Sequence, residues 1–375
     1  MSKKTVIGVD ASRSNVAQRT GTEYYSYEII QEILKVAPPN RFFFRLYSKT
    51  PLEYLKKSND VENKVMQFPR LWSQIRLSRE IMQNPPSVLF EPSHTIPIIH
   101  GKKTVVTLHD VGFKYYPNLY TPLERIYHNF CMKFSVRHAT KIISISEATK
   151  NDLVKIYKAD PKKITVIYHG YDKNKYRQPT KSENPPADIV NLRPYIYFIG
   201  RLEAKKNIKK LVSAYGLLRK NPKINHKLVF AGRPGYQYEQ IREEIAKLPE
   251  KIRKDVIELG YVEDAKTPVL MRYASIFAFP SRFEGFGMPL LEAMASGVPV
   301  VGSNTTSIPE ILGGSGLVSD PDDIDKLAQN LTKVILDPKT KNGLITKGLE
   351  RVKKFDWEIA ALNTLRVLED AVNLK

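Results

Sequence analysis

Two glutamates, Glu284 and Glu292, have seven residues between them in the run Phe279-Pro280-Ser281-Arg282-Phe283-Glu284-Gly285-Phe286-Gly287-Met288-Pro289-Leu290-Leu291-Glu292-Ala293-Met294-Ala295-Ser296-Gly297. Each carboxylate can accept hydrogen bonds from the hydroxyls of a ligand. Gly285 and Gly287 bracket one aromatic residue, so the loop can take positive φ and bring bare backbone close to that ligand. Pro289 suits the first turn of a helix and Gly297 its end. The run therefore reads as strand, tight loop, helix. A helix starting there aims free N–H groups and a partial positive charge at whatever lies above the loop, which favours phosphate.

A second constellation is Gly200-Arg201-Leu202-Glu203-Ala204-Lys205-Lys206-Asn207, directly after an apolar, strand-like stretch at 195–199. Arginine offers a planar fork to two phosphate oxygens, and lysine a point charge. A third is Thr107-Leu108-His109-Asp110-Val111, which ends another apolar strand. There Asp110 either orients His109 or opens the next loop. The one acidic run with the look of a metal site, Asp320-Pro321-Asp322-Asp323, is explained by capping and turn chemistry before a helix. The seven histidines show no close metal-ligand spacing, so neither a metal nor another cofactor is expected.

The elements that must position these residues alternate in type. Strands are expected at 5–10, 41–47, 88–91, 104–109, 141–145 and 164–168, with helices at about 23–36, 71–82, 122–137 and 147–157. Residues 173–194 are polar and proline-bearing and read as a linker. A second series follows, with strands at 195–199, 227–231, 257–261, 276–279 and 299–302. The expected organisation is an N-terminal domain over 1–172, the linker, a C-terminal domain over 195–354, and a last helix in 355–375. Such βα alternation predicts two doubly wound, Rossmann-like parallel sheets. Facing each other, they would bring their strand C-terminal ends to one central cleft.

At 375 residues the chain has room for two domains. No run of about 18 uncharged apolar residues appears, so no spanning helix is expected. Met1-Ser2-Lys3-Lys4 leads directly into a strand, without the apolar stretch that a signal peptide needs. The single cysteine, Cys131, excludes an internal disulfide and fits a reducing cytoplasm. The net charge of +20 is uneven: residues 1–180 hold 29 Lys and Arg against 15 Asp and Glu, a net of +14. A basic half suggests an anionic partner, although lysines scattered over a solvated surface would give the same count. Arg70-Leu71-Trp72-Ser73-Gln74-Ile75-Arg76-Leu77-Ser78-Arg79 mixes apolar and cationic positions and could lie on an anionic membrane surface or form a core helix with a charged outer face.

The Glu284–Glu292 run resembles the nucleotide-sugar motif of the retaining GT-B glycosyltransferases of family 4, and Arg201 and Lys206 match the cations that in this family hold the donor diphosphate. Fixed cations there stabilise a departing diphosphate more in the transition state than in the ground state. The resemblance implies that Glu292 takes ribose hydroxyls and Glu284 donor-sugar hydroxyls. The backbone around Gly285, Phe286, Gly287 and Met288 would hold diphosphate and sugar. His109 would contact the transferred sugar. Gln18-Arg19-Thr20-Gly21-Thr22-Glu23 looks like the family's glycine loop reduced to one glycine, Gly21, which would let backbone amides approach the donor phosphate or the acceptor. Ser146 resembles a family strand-to-helix turn, but an N-cap is the preferred explanation of it. The family also implies retention of configuration, and a last helix that crosses back to the N-terminal domain.

The overall look is closest to mannosyltransferase-like members that build surface polysaccharides. The expected donor is GDP-mannose, and the acceptor a glycan or polyprenyl-linked glycan. The expected place is the cytoplasm, with peripheral contact at the inner face of an anionic membrane. Rival readings are a UDP-glucose or UDP-N-acetylglucosamine transferase, a sugar-nucleotide epimerase, and a non-enzymatic nucleic-acid-binding protein. Against the last, no aromatic–basic platform is visible, and no nucleic-acid partner is expected.

Overall fold

A computed structural model describes residues 4–16, 19–56, 58–180 and 182–374. Met1-Ser2-Lys3 of the expected N-terminal entry and Gln18 of the expected glycine loop lie outside the described residues. Residues up to Gly170, together with those from Asp356 onward, form one compact unit, and Tyr171–Phe355 form a second.

The first unit carries β1 (Thr5–Asp10), β2 (Phe42–Ser48), β3 (Val61–Val65), β4 (Val88–Glu91), β5 (Thr104–Leu108), β6 (Lys141–Ser144) and β7 (Ile164–Val166). They form one parallel sheet in the order β3-β2-β1-β4-β5-β6-β7. The second unit carries β8 (Tyr195–Ile199), β9 (Lys227–Ala231), β10 (Val256–Glu258), β11 (Ile276–Phe279), β12 (Val300–Ser303) and β13 (Gly316–Ser319). These are parallel in the order β10-β9-β8-β11-β12-β13. Central strands such as β5 and β11 are buried along their whole length, because helices cover both faces of each sheet. β11 is accordingly apolar throughout, and the two threonines of β5 are buried with its apolar residues.

Two strands escaped the sequence reading, and both are edges. β3, Val61-Glu62-Asn63-Lys64-Val65, is mostly polar and half-exposed, and β13 carries only two large apolar residues. Such strands are recruited by the backbone groups of the neighbouring strand rather than by burial, so apolar runs do not reveal them. The expected 71–82 helix also differs. Leu71 takes φ +52, a π-helix spans Ser73–Leu77, and an α-helix follows over Ser78–Gln83. Trp72 anchors this distortion: it is buried with Tyr47, Met66, Leu77, Ile81 and Leu89, and its Nε1 donates to the Met66 carbonyl at 2.7 Å.

The 173–194 stretch is pinned to the second unit by Arg272. Its guanidinium donates to the carbonyls of Arg177 (3.1 Å) and Lys175 (3.0 Å) and pairs with Glu183. The Trp357–Asn373 helix packs within the first unit against the Gly21–Val36 helix. The Trp357 ring meets Tyr24 and Tyr25 with centroids 6.3 and 5.9 Å apart, and Arg41 pairs with Glu369 at 2.8 Å. The approach is closest at Gly170, where a Cβ would stand 2.2 Å from the Trp357 backbone nitrogen. Gly170→Ala should therefore force the helix start outward and lower stability by about 3 kcal/mol, at the upper end for overpacking because the obstacle is backbone. Thermal unfolding of the variant checks this.

Candidate active site

In the second sheet the strand order changes direction between β8 and β11, the seam at which doubly wound sheets bind ligands. The turns after these two strands carry the predicted cations and the first predicted glutamate. After β8, Gly200 takes φ +142, and after β9, Gly232 takes φ +153. A Cβ on Gly232 would lie 1.9 Å from the Gly200 carbonyl oxygen, so the two turns touch backbone to backbone. A Cβ on Gly235 would lie 3.1 Å from Arg201 Cγ; the Arg201 stem rests on this glycine while the residue stays exposed.

Lys206 is brought against Glu284. Its Nζ donates to Glu284 Oε1 at 2.6 Å, with the two side chains only 16% and 12% exposed, and stands 5.6 Å from the Phe279 ring centre. Sequence reasoning gave these residues separate tasks; the fold makes each the other's partner. Glu284 is held through its backbone. Its N–H donates to Thr306 Oγ1 (3.1 Å), and Ser307 Oγ donates to the carbonyls of Glu284 (3.0 Å) and Phe286 (2.9 Å). The positive φ of the loop lies at Gly287 (+96), which caps the Met288–Ala295 helix. Phe283 and Phe286 are buried, so Phe286 can meet a ligand only through its backbone.

Glu292 sits on that helix. Burial pushes its carboxyl up to about 7, opposed by a hydrogen bond from Tyr176 and the charge of Lys175 and reinforced by Asp264 and Asp172. It can therefore change charge near neutrality. Three residues that sequence reasoning did not single out position this seam. Asn207, at φ +59, starts the Ile208–Leu218 helix and donates through Nδ2 to the carbonyls of Pro280 (3.2 Å) and Pro321 (2.7 Å). Thr306 and Ser307 are the other two. The hydroxyl-rich run Ser303–Ser307 after a strand was the available signal for them.

Arg233 lies over the Tyr261 ring, 4.7 Å from its centre. Glu310 offers its backbone carbonyl to Arg351 at 2.6 Å. Asp322 pairs with Arg282 (2.9 Å), and Asp323 caps the Ile324–Leu336 helix through Lys326 N (2.8 Å). Among the described residues, no cluster of three or more His, Cys, Asp or Glu is arranged to hold a metal ion.

In the first unit His109 follows β5 and is buried. Its Nε2 donates to the Pro92 carbonyl at 2.8 Å, which leaves Nδ1 as the acceptor nitrogen. Tyr25, His94 and His169 surround its ring at 4.8, 4.8 and 6.0 Å, and burial lowers its pKa, so the imidazole is neutral. Gly21 begins the Gly21–Val36 helix behind a Thr20–Glu23 capping box. Among the described residues nothing stands within 4 Å of where its Cβ would be. Ser146 caps the Glu147–Tyr157 helix by accepting from Thr149 N at 3.1 Å.

The first sheet has its own seam, between β1 and β4. Val9 pairs with Phe90 there, so Asp10 and Glu91 stand next to each other at the strand ends. Both are buried. Asp10 accepts from Ser12 N (2.9 Å) and Ser73 Oγ (3.2 Å). Burial, and secondarily the neighbouring Asp10 charge, holds the Glu91 carboxyl well above the usual carboxylate range. The fold thus binds the Glu91 proton more tightly than the unfolded chain does, so stability falls as pH rises above about 4.3, the unfolded value. Glu91→Gln should remove that loss. Unfolding temperatures at pH 5 and pH 8 should show a gain over the native chain that is larger at pH 8.

With this geometry in hand, comparison with known proteins gives consistent results. Residues 181–351 match the family model described as glycosyl transferases group 1, and residues 58–175 that of glycosyltransferase family 4. The chain is 30% identical over 268 residues to O-antigen chain mannosyltransferase B of Escherichia coli, an alignment covering 70% of this chain and 69% of that protein. It is 29% identical over 234 residues to O-antigen chain mannosyltransferase RfbU of Salmonella typhimurium, covering 61% and 60% of the two chains. Among solved structures, sucrose-phosphate synthase from Thermosynechococcus elongatus superposes with a TM-score of 0.73 at 18% identity, over 98% of this chain and 99% of that one.

Proposed function

The chain belongs to glycosyltransferase family 4, and on that premise we propose that it moves mannose from GDP-mannose onto a growing glycan held by a polyprenyl carrier. The transfer retains anomeric configuration and requires no metal. The fold is GT-B, and the activity class is glycosyl transfer. The observation that carries the residue assignments is the Lys206–Glu284 pair at the β8/β11 seam, with Arg201 exposed in the turn that leads from β8 to Lys206. The choice of mannose is supported by the names of the relatives, two of which are O-antigen chain mannosyltransferases.

In this reading Arg201 and Lys206 hold the donor diphosphate. A diphosphate drawn to Lys206 competes with Glu284 for the ammonium and releases that carboxylate to accept from donor-sugar hydroxyls. Glu292 accepts from the ribose hydroxyls, and the backbone of Gly285, Phe286, Gly287 and Met288 faces diphosphate and sugar. His109 hydrogen-bonds the transferred sugar, and Gly21 leaves room on the acceptor side. The acceptor hydroxyl attacks the anomeric carbon from the face that the diphosphate leaves. The carbon–oxygen bond breaks with its electron pair going to the phosphate oxygen, and that oxygen takes the hydroxyl proton. No protein nucleophile is required. The two cations stabilise the charge that gathers on the leaving group. The enzyme would work in the cytoplasm at the inner membrane face, where a polyprenyl carrier presents its glycan.

Three measurements test this. Without added metal, GDP and GDP-mannose should raise the unfolding temperature, corresponding to about 2.7 kcal/mol at a hundredfold excess over Kd. A response to UDP species alone would reassign the donor, and no response to any nucleotide would sink the reading. Glu284→Ala should lower kcat on the order of 100-fold with an unchanged circular dichroism spectrum. Because Glu292 titrates near 7, nucleotide binding should tighten as pH rises from 6 to 8 and its carboxylate becomes a full acceptor. Glu292→Gln should flatten that part of the pH dependence in calorimetric titrations.

A further inference from the structure

The Pro122–His138 helix departs from the rule that a surface helix turns apolar residues inward and polar ones outward. Residues 121–128 are all exposed, and burial begins only at Cys131. Leu123 is 79% exposed, Ile126 67%, Phe130 52% and Tyr127 42%. At 3.6 residues per turn these four and Phe134 fall within about 100° of one another, on one stripe. The core-facing residues Cys131, Met132, Ser135 and Val136 lie on the opposite side. The helix is thus apolar on both faces, and only one of them is used by its own unit. Its start is fixed locally instead: Glu124 N donates to Thr121 Oγ1 at 3.3 Å, and Thr121 N to Glu124 Oε2 at 2.8 Å.

The outward stripe does not stand alone. Phe134 meets the His100 ring at 6.0 Å, and Ile98 and Ile99, which directly precede His100 in the chain, are exposed as well. Single exposed apolar residues are ordinary, whereas a contiguous patch of this kind marks an interaction site. The segment that carries it is cationic. Between residues 98 and 141 there are seven Lys and Arg against two Asp and Glu. Lys133 and Arg137 are on the same helix, and Tyr127 within the stripe supplies a ring with one polar end. Apolar side chains projecting from a helix, an amphipathic tyrosine among them and nearby cations are what an anionic bilayer surface takes up. No helix among the described residues is long and apolar enough to cross a membrane.

We propose that this helix face, centred on Leu123, Ile126 and Phe130, docks the first unit onto the surface of an anionic lipid bilayer. The Arg70–Arg79 segment, which from sequence could carry such a contact, buries Trp72 and Leu77 but leaves Leu71 and Ile75 exposed, so it offers fewer apolar residues than the Pro122–His138 helix. The proposal deepens the functional reading by naming where a lipid-borne acceptor would be met. It rests on that reading for its purpose and on the exposed stripe for its geometry.

The test is co-sedimentation of the full chain with phosphatidylcholine vesicles, with and without phosphatidylglycerol. The native chain should pellet with the anionic vesicles only, and less so as salt is raised. Replacing Ile126 by glutamate should weaken partitioning about tenfold, and the Leu123→Glu/Ile126→Glu double variant should abolish it. Ile126→Trp should retain it. Both positions are exposed, so unfolding temperatures should match the native chain, as should transfer to a water-soluble acceptor. That activity control separates failure of this inference from failure of the glycosyltransferase reading. The proposal is overturned if the native chain does not pellet, if the double variant pellets equally, or if neutral vesicles bind as well. It is also overturned if the face instead mediates a dimer that the double variant dissolves, without vesicle binding.

Discussion

The carboxamide of Asn207 donates to the Pro280 and Pro321 carbonyls and so fastens the turn after β8 to the turn after β11. The geometry of the seam follows from that tie. Lys206 precedes Asn207 directly and Glu284 follows Pro280 by four residues, so the contact between their side chains requires the two turns to be in register. The left-handed conformation of Asn207 lets one residue both end the cationic turn and begin the Ile208–Leu218 helix. Asparagine tolerates that conformation better than most residues with a side chain, and it also carries the donor.

A lysine and a glutamate this far removed from water would each be costly alone, and their pairing makes both tenable. The pair also bears on ligand choice. A ligand with a phosphate but no hydroxyls satisfies the lysine and strands the carboxylate, whereas a sugar without phosphate does the reverse. A molecule carrying both satisfies both. On the proposed reading, selectivity for an activated sugar would arise from two mutually dependent groups, with the polar cost of a wrong ligand built into the site.

Much of this was legible in the sequence. The βα alternation and the buried central strands announced themselves because residues covered on both faces must be apolar. The Gly285-Phe286-Gly287 loop, Arg201, Lys206 and His109 stood out because unusual residue types followed strand ends. What stayed hidden depends on contacts between residues distant in sequence. Asn207, Thr306 and Ser307 look like ordinary turn residues until the fold shows which carbonyls and amides they meet. Edge strands β3 and β13 lack an apolar signal. Glu91 looked like the end of a strand, and only the β1–β4 pairing places it beside Asp10 in the core. The outward stripe of the Pro122–His138 helix was invisible for a different reason: periodicity alone does not say which of two apolar faces meets the core.

Gly170 and Trp357 are neighbours in space with the whole second unit between them in sequence. During synthesis the ribosome therefore releases the second unit complete before the first has its covering helix. Until the Trp357–Asn373 helix emerges, Tyr24, Tyr25 and the surface at Gly170 lack the residues that cover them. Domains usually mature in the order in which they are made. Here the unit begun first is finished last, and that interval exposes an unfinished apolar surface to chaperones and to other nascent chains.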